Sequence, residues 1–191
     1  SLRGCAVNQL LIGNGSDEIL DLLFRAFCTP NKDDVVLMPP TYGMYAVLAN
    51  INGVGIKAVP LTDDFQLDSS QILAAVGPTT KAIFFCSPNN PSGNLFKTAD
   101  ITALLEGFEG LVVIDEAYID FSEEPSFMQE LHKFPQLIVL QTLSKAYGLA
   151  SLRLGMAFAN PTIIDLLNKI KPPYNIGGAT QRLVQKALSD S

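Results

Sequence analysis

The chain has 191 residues, enough for one sizeable hydrophobic core and too few for two ordinary domains. Apolar residues make up 48% of it and charged residues 17%, which is the composition of a folded protein rather than a disordered one. Its 13 basic residues against 19 acidic ones give a net charge of −6, and no basic stripe is present to meet phosphates, so nucleic-acid binding is not expected.

Short apolar runs alternate with helical spacing along the chain. Gln9 to Ile12 reads as a brief strand ended by Gly13-Asn14-Gly15. Residues 16–28 then carry Ile19, Leu22, Leu23, Ala26 and Phe27 at intervals of three and four, the spacing of a helix with one buried face, and Ser16 is placed as its N-cap. Val35 to Met38 is a strand stopped by Pro39-Pro40. Gly43 to Asn50 reads as a helix and Gly55 to Val59 as the next strand. A short helix over 69–76 leads to Lys81 to Cys86, an almost wholly apolar run of the kind found in strands buried on both faces. A helix over 98–106 precedes Leu111 to Ile114, which Asp115 closes. Pro125 to Leu131 reads as a modest helix and Leu137 to Leu140 as a strand. Leu154 to Ala159 is a further strand, Pro161 opens a helix at its favoured first position, and 177–188 has amphipathic spacing.

About seven strands alternating with helices imply a three-layer α/β/α domain over residues 1–191, with a mainly parallel seven-stranded sheet covered on both faces. No repeat, low-complexity segment or linker divides it. Ligands of such folds gather beyond the C-terminal ends of the strands, where segments 13–17, 87–93, 115–118 and 141–145 fall. Cys5, Cys28 and Cys86 lie apart, without CxxC spacing, and read as reduced, mostly buried thiols. One histidine, His132, argues against a His-based metal site or a Ser-His-Asp triad, and no metal is expected. No segment reaches the ~18 apolar residues of a membrane span. The opening Ser1-Leu2-Arg3-Gly4 carries neither an initiator methionine nor a signal peptide, so a cytoplasmic location is expected.

Seven places carry chemistry. Gly13-Asn14-Gly15-Ser16-Asp17 sits where a strand gives way to a helix, and the free N–H groups of a first helical turn make an anion site; the plainer reading is a turn with an N-cap. Asp17 would repel an anion, so its carboxylate is expected to serve the first turn of the helix. Asp115, ending an apolar strand, suits a metal ligand, a general base, a partner for a cationic ring nitrogen or simply a polar strand end. Lys145 follows a strand and is flanked by the hydroxyls of Thr142 and Ser144. Its amine is either an ordinary solvated charge or a nucleophile able to form an imine with an aldehyde. Arg153, eight positions on, offers the rigid donor fork that suits a phosphate. Asn89-Asn90-Pro91-Ser92-Gly93 is a run of turn formers placed where a ligand contact is credible. Tyr118 can donate a hydroxyl and Tyr42 can offer a ring face to a flat heterocycle, although each alone reads equally well as an ordinary tyrosine.

Taken in order, GNGSDE, PPTYG, SPNNPSG, VVIDEAY, TLSKAYGLASLRLG and KPPYN closely resemble the motifs of the fold type I pyridoxal-phosphate (PLP) aminotransferases, and among these the histidinol-phosphate branch. The resemblance runs over essentially the whole chain. It implies Lys145 as the Schiff-base lysine, Asp115 as the partner of the pyridine nitrogen, and Asn90 and Tyr118 as donors to the phenolate oxygen. It implies Tyr42 stacked on the ring, and a phosphate held by the backbone at Gly15, Ser16 and Asp17 with Thr142, Ser144 and Arg153. PLP is then the cofactor, small amino and oxo compounds the substrates, and a homodimer the assembly. The implied reaction moves an amino group between L-glutamate/2-oxoglutarate and imidazole-acetol phosphate/L-histidinol phosphate. An aromatic aminotransferase and a threonine-phosphate-type decarboxylase share this cofactor set. A catalytically inactive PLP-binding fragment is the alternative of a different class. The family's chains are much longer, so an N-terminal arm and a C-terminal small domain are expected to be missing here, with the substrate-side arginine and the tyrosine that crosses the dimer. Arg182 reads as solvated rather than as that arginine.

Overall fold

The computed structural model describes residues 4–189. The opening Ser1-Leu2-Arg3 lies outside them. Seven strands form one sheet: β1 (Leu10–Asn14), β2 (Asp34–Leu37), β3 (Gly55–Ala58), β4 (Thr80–Cys86), β5 (Leu111–Asp115), β6 (Leu137–Thr142) and β7 (Leu154–Ala159). Their order across the sheet is β1-β7-β6-β5-β4-β2-β3. β7 runs antiparallel to both its neighbours, while β6, β5, β4, β2 and β3 pair in parallel. The expected seven-stranded, mainly parallel α/β/α arrangement is the one observed.

Successive side chains of a strand point to opposite faces, and here each face meets its own helices. Phe84, Val113, Ile138, Leu140 and Ala157 belong to one core, with Ile19, Leu22 and Leu23 of α1 (Ser16–Phe27), Leu48 of α2 (Met44–Ile51) and Ile164 of α5 (Pro161–Ile170). Phe85, Val112, Ile114, Val139 and Phe158 belong to the other, with Ile72 of α3 (Ser69–Ala75), Ile101 and Leu104 of α4 (Thr98–Gly107) and Val184 of α6 (Gly178–Ser189). Burial on both faces is why these strands read as continuous apolar runs instead of alternating ones. On the first face Phe24 stacks on Phe84 with ring centroids 4.9 Å apart.

Local chemistry sets the element ends, and some differ from the sequence reading. Asn160 caps α5 by accepting the Thr162 N–H at 3.0 Å, with Pro161 at the first helical position. The first strand begins at Leu10 rather than Gln9, because Val7–Gln9 close a 3-10 turn. Gly15, not Ser16, is the N-cap of α1: it takes φ +79°, a conformation glycine adopts without a Cβ clash, and Ser16 becomes the first helical residue. The helix expected over Pro125 to Leu131 is a 3-10 turn at Phe127–Glu130. It is tied to a buried carboxylate: Glu116 accepts the Ser126 hydroxyl at 2.5 Å, the Phe127 N–H at 2.8 Å and the Gln141 amide at 2.9 Å. Side-chain acceptors thus replace the helical ladder there.

Candidate active site

Parallel pairing brings the ends of β4, β5 and β6 to one edge of the sheet, and β1, two strands from β6, runs the same way. β7 runs the other way, so its start lies at that same edge and delivers Arg153 beside the ends of β1 and β6. An open cleft lies there, lined by residues from segments far apart in sequence. Ser16, Asp17, Tyr42, Asn90, Asp115, Tyr118, Thr142, Ser144, Lys145 and Arg153 all reach it. Gly15 is the one expected site residue that does not line the cleft; it shapes the loop behind it.

The floor is buried. Asp115 is 3% exposed and its two oxygens are engaged separately: Tyr45 Oη donates to Oδ2 at 3.0 Å and the Ala117 N–H donates to Oδ1 at 3.1 Å. Burial pushes the Asp115 carboxyl up to about 6, and the Tyr45 and Ala117 donors act against that rise. Cys86 faces Asp115 across the β4–β5 ladder and also lines the cleft. Burial and the neighbouring Asp115 raise its thiol far above the ordinary range, so it behaves as an inert, packed group.

The rim is more open. At the N-terminus of α1 the chain passes so close to β7 that a Cβ on Gly155 would lie 2.3 Å from the Ser16 nitrogen. The Gly15 N–H donates to the Arg153 carbonyl at 2.9 Å, which ties the helix start to the residue before β7. Arg153 Nη2 stands 3.7 Å from Asp17 Oδ2, while Tyr42 Oη donates to Asp17 Oδ1 at 3.1 Å. The Asp17 carboxylate is therefore held toward the cleft by a cation and a hydroxyl, instead of serving its own helix as expected. The Tyr42 hydroxyl is raised to about 12 by burial first and by Asp17 second, so it stays a donor.

Beyond β6, Thr142 Oγ1 lies 3.2 Å from the Leu154 carbonyl and 3.0 Å from Ser144 Oγ, and it accepts the Ser144 N–H at 3.2 Å. This turn presents Lys145 at the mouth, with its Nζ 5.3 Å from the Tyr118 ring centroid, a cation–π distance. The Asn89-Asn90 pair divides its work. Asn89 is buried and binds the Pro40 carbonyl at 3.0 Å and Ser92 Oγ at 2.7 Å, stapling two loops together, while Asn90 reaches the cleft.

Four contributors escaped the sequence reading: Tyr45, Cys86, Ala117 and Gly155. Tyr45 had only a weak signal, a tyrosine in the first turn of α2 just after the singled-out Tyr42. Gly155 had none, because its role depends on how closely α1 passes β7. Among the described residues no group of three His, Cys, Asp or Glu is placed to hold a metal, and no helix is long and apolar enough to cross a membrane.

The cleft thus joins an amine at its mouth, a buried carboxylate on its floor and a helix start with an arginine beside it. The chain is similar to several known proteins. The histidinol-phosphate aminotransferase of Flavobacterium johnsoniae is 58% identical over 183 residues, covering 96% of this chain and 52% of that protein. That of Cytophaga hutchinsonii is 53% identical over 190 residues, covering 100% of this chain and 55% of that protein. The crystal structure of histidinol-phosphate aminotransferase from Sinorhizobium meliloti in complex with pyridoxal-5'-phosphate superposes with a TM-score of 0.89 at 26% identity, over 98% of this chain and 52% of that one. The chain spans about half the length of the curated relatives it matches. The family model for aminotransferase class I and II matches residues 4–191, and the chain belongs to that family.

Proposed function

We propose that this chain is the PLP-binding large domain of a histidinol-phosphate transaminase, acting with an arm and a small domain that lie outside these 191 residues. The observation that carries the reading is the meeting of Lys145, Asp115 and the α1 start in one cleft. Relatives named histidinol-phosphate aminotransferase at 53–58% identity support the choice of substrate pair, glutamate/2-oxoglutarate and imidazole-acetol phosphate/histidinol phosphate. A cytoplasmic homodimer is the matching assembly.

The donor set suits each part of PLP. An anionic phosphate matches the N–H groups at Gly15, Ser16 and Asp17, the hydroxyls of Ser16, Thr142 and Ser144, and the Arg153 fork. A basic ring nitrogen matches the Asp115 carboxylate, and an aldehyde matches the Lys145 amine. Tyr42 offers its ring, and Asn90 and Tyr118 offer donors to a phenolate oxygen. When bound, the cofactor supplies an electron sink for the substrate's α-carbon.

The protein's own groups do the rest. Asp115 keeps a negative charge at the floor, where low dielectric makes its pairing with a cation strong. Asp17 is already engaged by Arg153 and Tyr42, which reduces its repulsion of an incoming phosphate. Lys145 Nζ, close above the Tyr118 ring, is the base that takes and returns the α-carbon proton.

Borohydride reduction of the PLP-treated chain, followed by peptide mapping, tests the assignment. PLP mass is expected on Lys145 and absent in Lys145→Ala; labelling of another lysine, or of none, would refute it. An amino-group assay with glutamate and imidazole-acetol phosphate then separates turnover from binding alone. Preferential use of aromatic oxo acids, or release of carbon dioxide without an oxo acceptor, would move the protein to a neighbouring specificity.

A further inference from the structure

We propose that Tyr45 is a positioning residue for Asp115, its buried hydroxyl fixing the carboxylate at the cleft floor and lowering the cost of keeping it charged there. The proposal rests on the reading of Asp115 as the partner of a cationic ring nitrogen, and it adds what makes that aspartate usable. A carboxylate at 3% exposure has lost its water and must find donors in the protein. One is the Ala117 N–H, which the backbone provides whatever the side chains are. The other is Tyr45 Oη, 3.0 Å from Oδ2 and delivered by a helix whose start lies 71 positions before Asp115.

Tyr45 is built to stay in place. Its side chain is wholly buried, set edge-on to Tyr42 at 5.5 Å and tilted against Phe84 at 6.0 Å. Burial and the adjacent carboxylate raise its own hydroxyl well above the ordinary range, so it donates at every accessible pH. A donor to a carboxylate favours the charged form, and hydrogen bonds to charged groups are roughly twice as strong as neutral ones. A tyrosine retained only to fill space would show no such dependence on charge.

The other titratable groups around Asp115 are Asp17 from α1, Tyr42 before α2, Cys86 from β4, Glu116 and Tyr118 after β5, and Lys145 after β6. All are common to the parent and to Tyr45→Phe, so subtracting one melting curve from the other removes their own titrations. The gap in melting temperature between ligand-free parent and Tyr45→Phe is expected to widen about two-fold between about pH 5 and about pH 8, as Asp115 becomes charged. In the Asp115→Asn background the same substitution should lower the melting temperature by an amount independent of pH. A gap that stays flat in the parent background, or that widens equally in the Asp115→Asn background, overturns the proposal. If Tyr45→Phe fails to fold near pH 8, the double variant Tyr45→Phe/Asp115→Asn must still fold there; a double variant as unfolded as the single one overturns it too. Failure of PLP to label Lys145 would sink the cofactor reading and leave this pH result intact, whereas normal labelling with a flat gap would sink the role of Tyr45 alone.

Discussion

The floor and the rim of the cleft are made in different ways. On the floor, Asp115, Tyr45 and Cys86 are buried among core side chains, and their polar atoms are engaged within the protein. On the rim, Lys145 and Arg153 are exposed, and Arg153 meets Asp17 at 3.7 Å across solvent-facing surface. The floor therefore has its geometry before any ligand arrives, and burial sets the cost of its charge. The rim carries groups whose charge water already satisfies, and their orientation is left to short loops.

The largest effect that would test this separation is electrostatic and belongs to the floor. The Asp115 carboxyl is raised from 3.8 to about 6, so the folded chain binds its proton more tightly than the unfolded chain does. Its stabilising contribution is full below about pH 4 and is lost as the pH rises through about 6. A shift of about two units corresponds to about 3 kcal/mol, and at 3% exposure solvent screening takes little of it away. Asp115→Asn lacks this loss. In denaturant melts its stability relative to the parent is expected to rise by about 3 kcal/mol from about pH 4 to about pH 8. A difference that does not vary with pH would show the floor to be as solvated as the rim.

A smaller, steric effect probes where the rim is anchored. Gly155→Ala would place a methyl 2.3 Å from the Ser16 nitrogen and 2.5 Å from the Gly15 carbonyl carbon, so α1 and β7 must separate. About 2 kcal/mol of stability should be lost, with weaker uptake of PLP, because the moved atoms are backbone and cannot change rotamer. Unchanged melting and unchanged PLP affinity would mean that the α1 start does not depend on β7.

The smallest effect on folding should come with a clear effect on binding. Arg153→Ala removes an ion pair whose side chains are 49% and 38% exposed, and such pairs contribute about 0.5 kcal/mol or less. The melting temperature without PLP should barely move, while PLP affinity measured by equilibrium dialysis should fall about ten-fold, the loss of one charged hydrogen-bonding partner. If instead stability falls and affinity holds, Arg153 belongs with the structural scaffold and the division between floor and rim is misplaced.

Much of this was legible in the sequence. The alternation of apolar runs and helical spacing placed every strand to within about two residues, because burial on both faces leaves few polar positions to confuse the pattern. The residues with the strongest chemistry, Lys145, Asp115 and Arg153, stood at strand ends where a parallel sheet gathers ligands. The turn at Phe127–Glu130 looks like a helix in sequence because the group that shapes it, Glu116, lies ten positions before Ser126. Local sequence points Asp17 to its own helix because Tyr42 and Arg153, its partners, come from separate elements. The hydroxyl of Ser16 marks it as a cap because hydroxyl residues favour that position, while the positive φ at Gly15 depends on how the chain leaves β1.

By itself the sequence determined the rhythm of elements, the two-faced burial of the strands and the kinds of chemical group at their ends. Each of these depends on residues a few positions apart, so local periodicity and local chemistry are enough. Tertiary structure alone decided that β7 reverses and brings Arg153 to the cleft, that Gly155 must leave room for Ser16, and that Tyr45 stands against Asp115. Those outcomes follow from which strands pair and which faces pack, and contacts between separate elements leave no local trace in the chain.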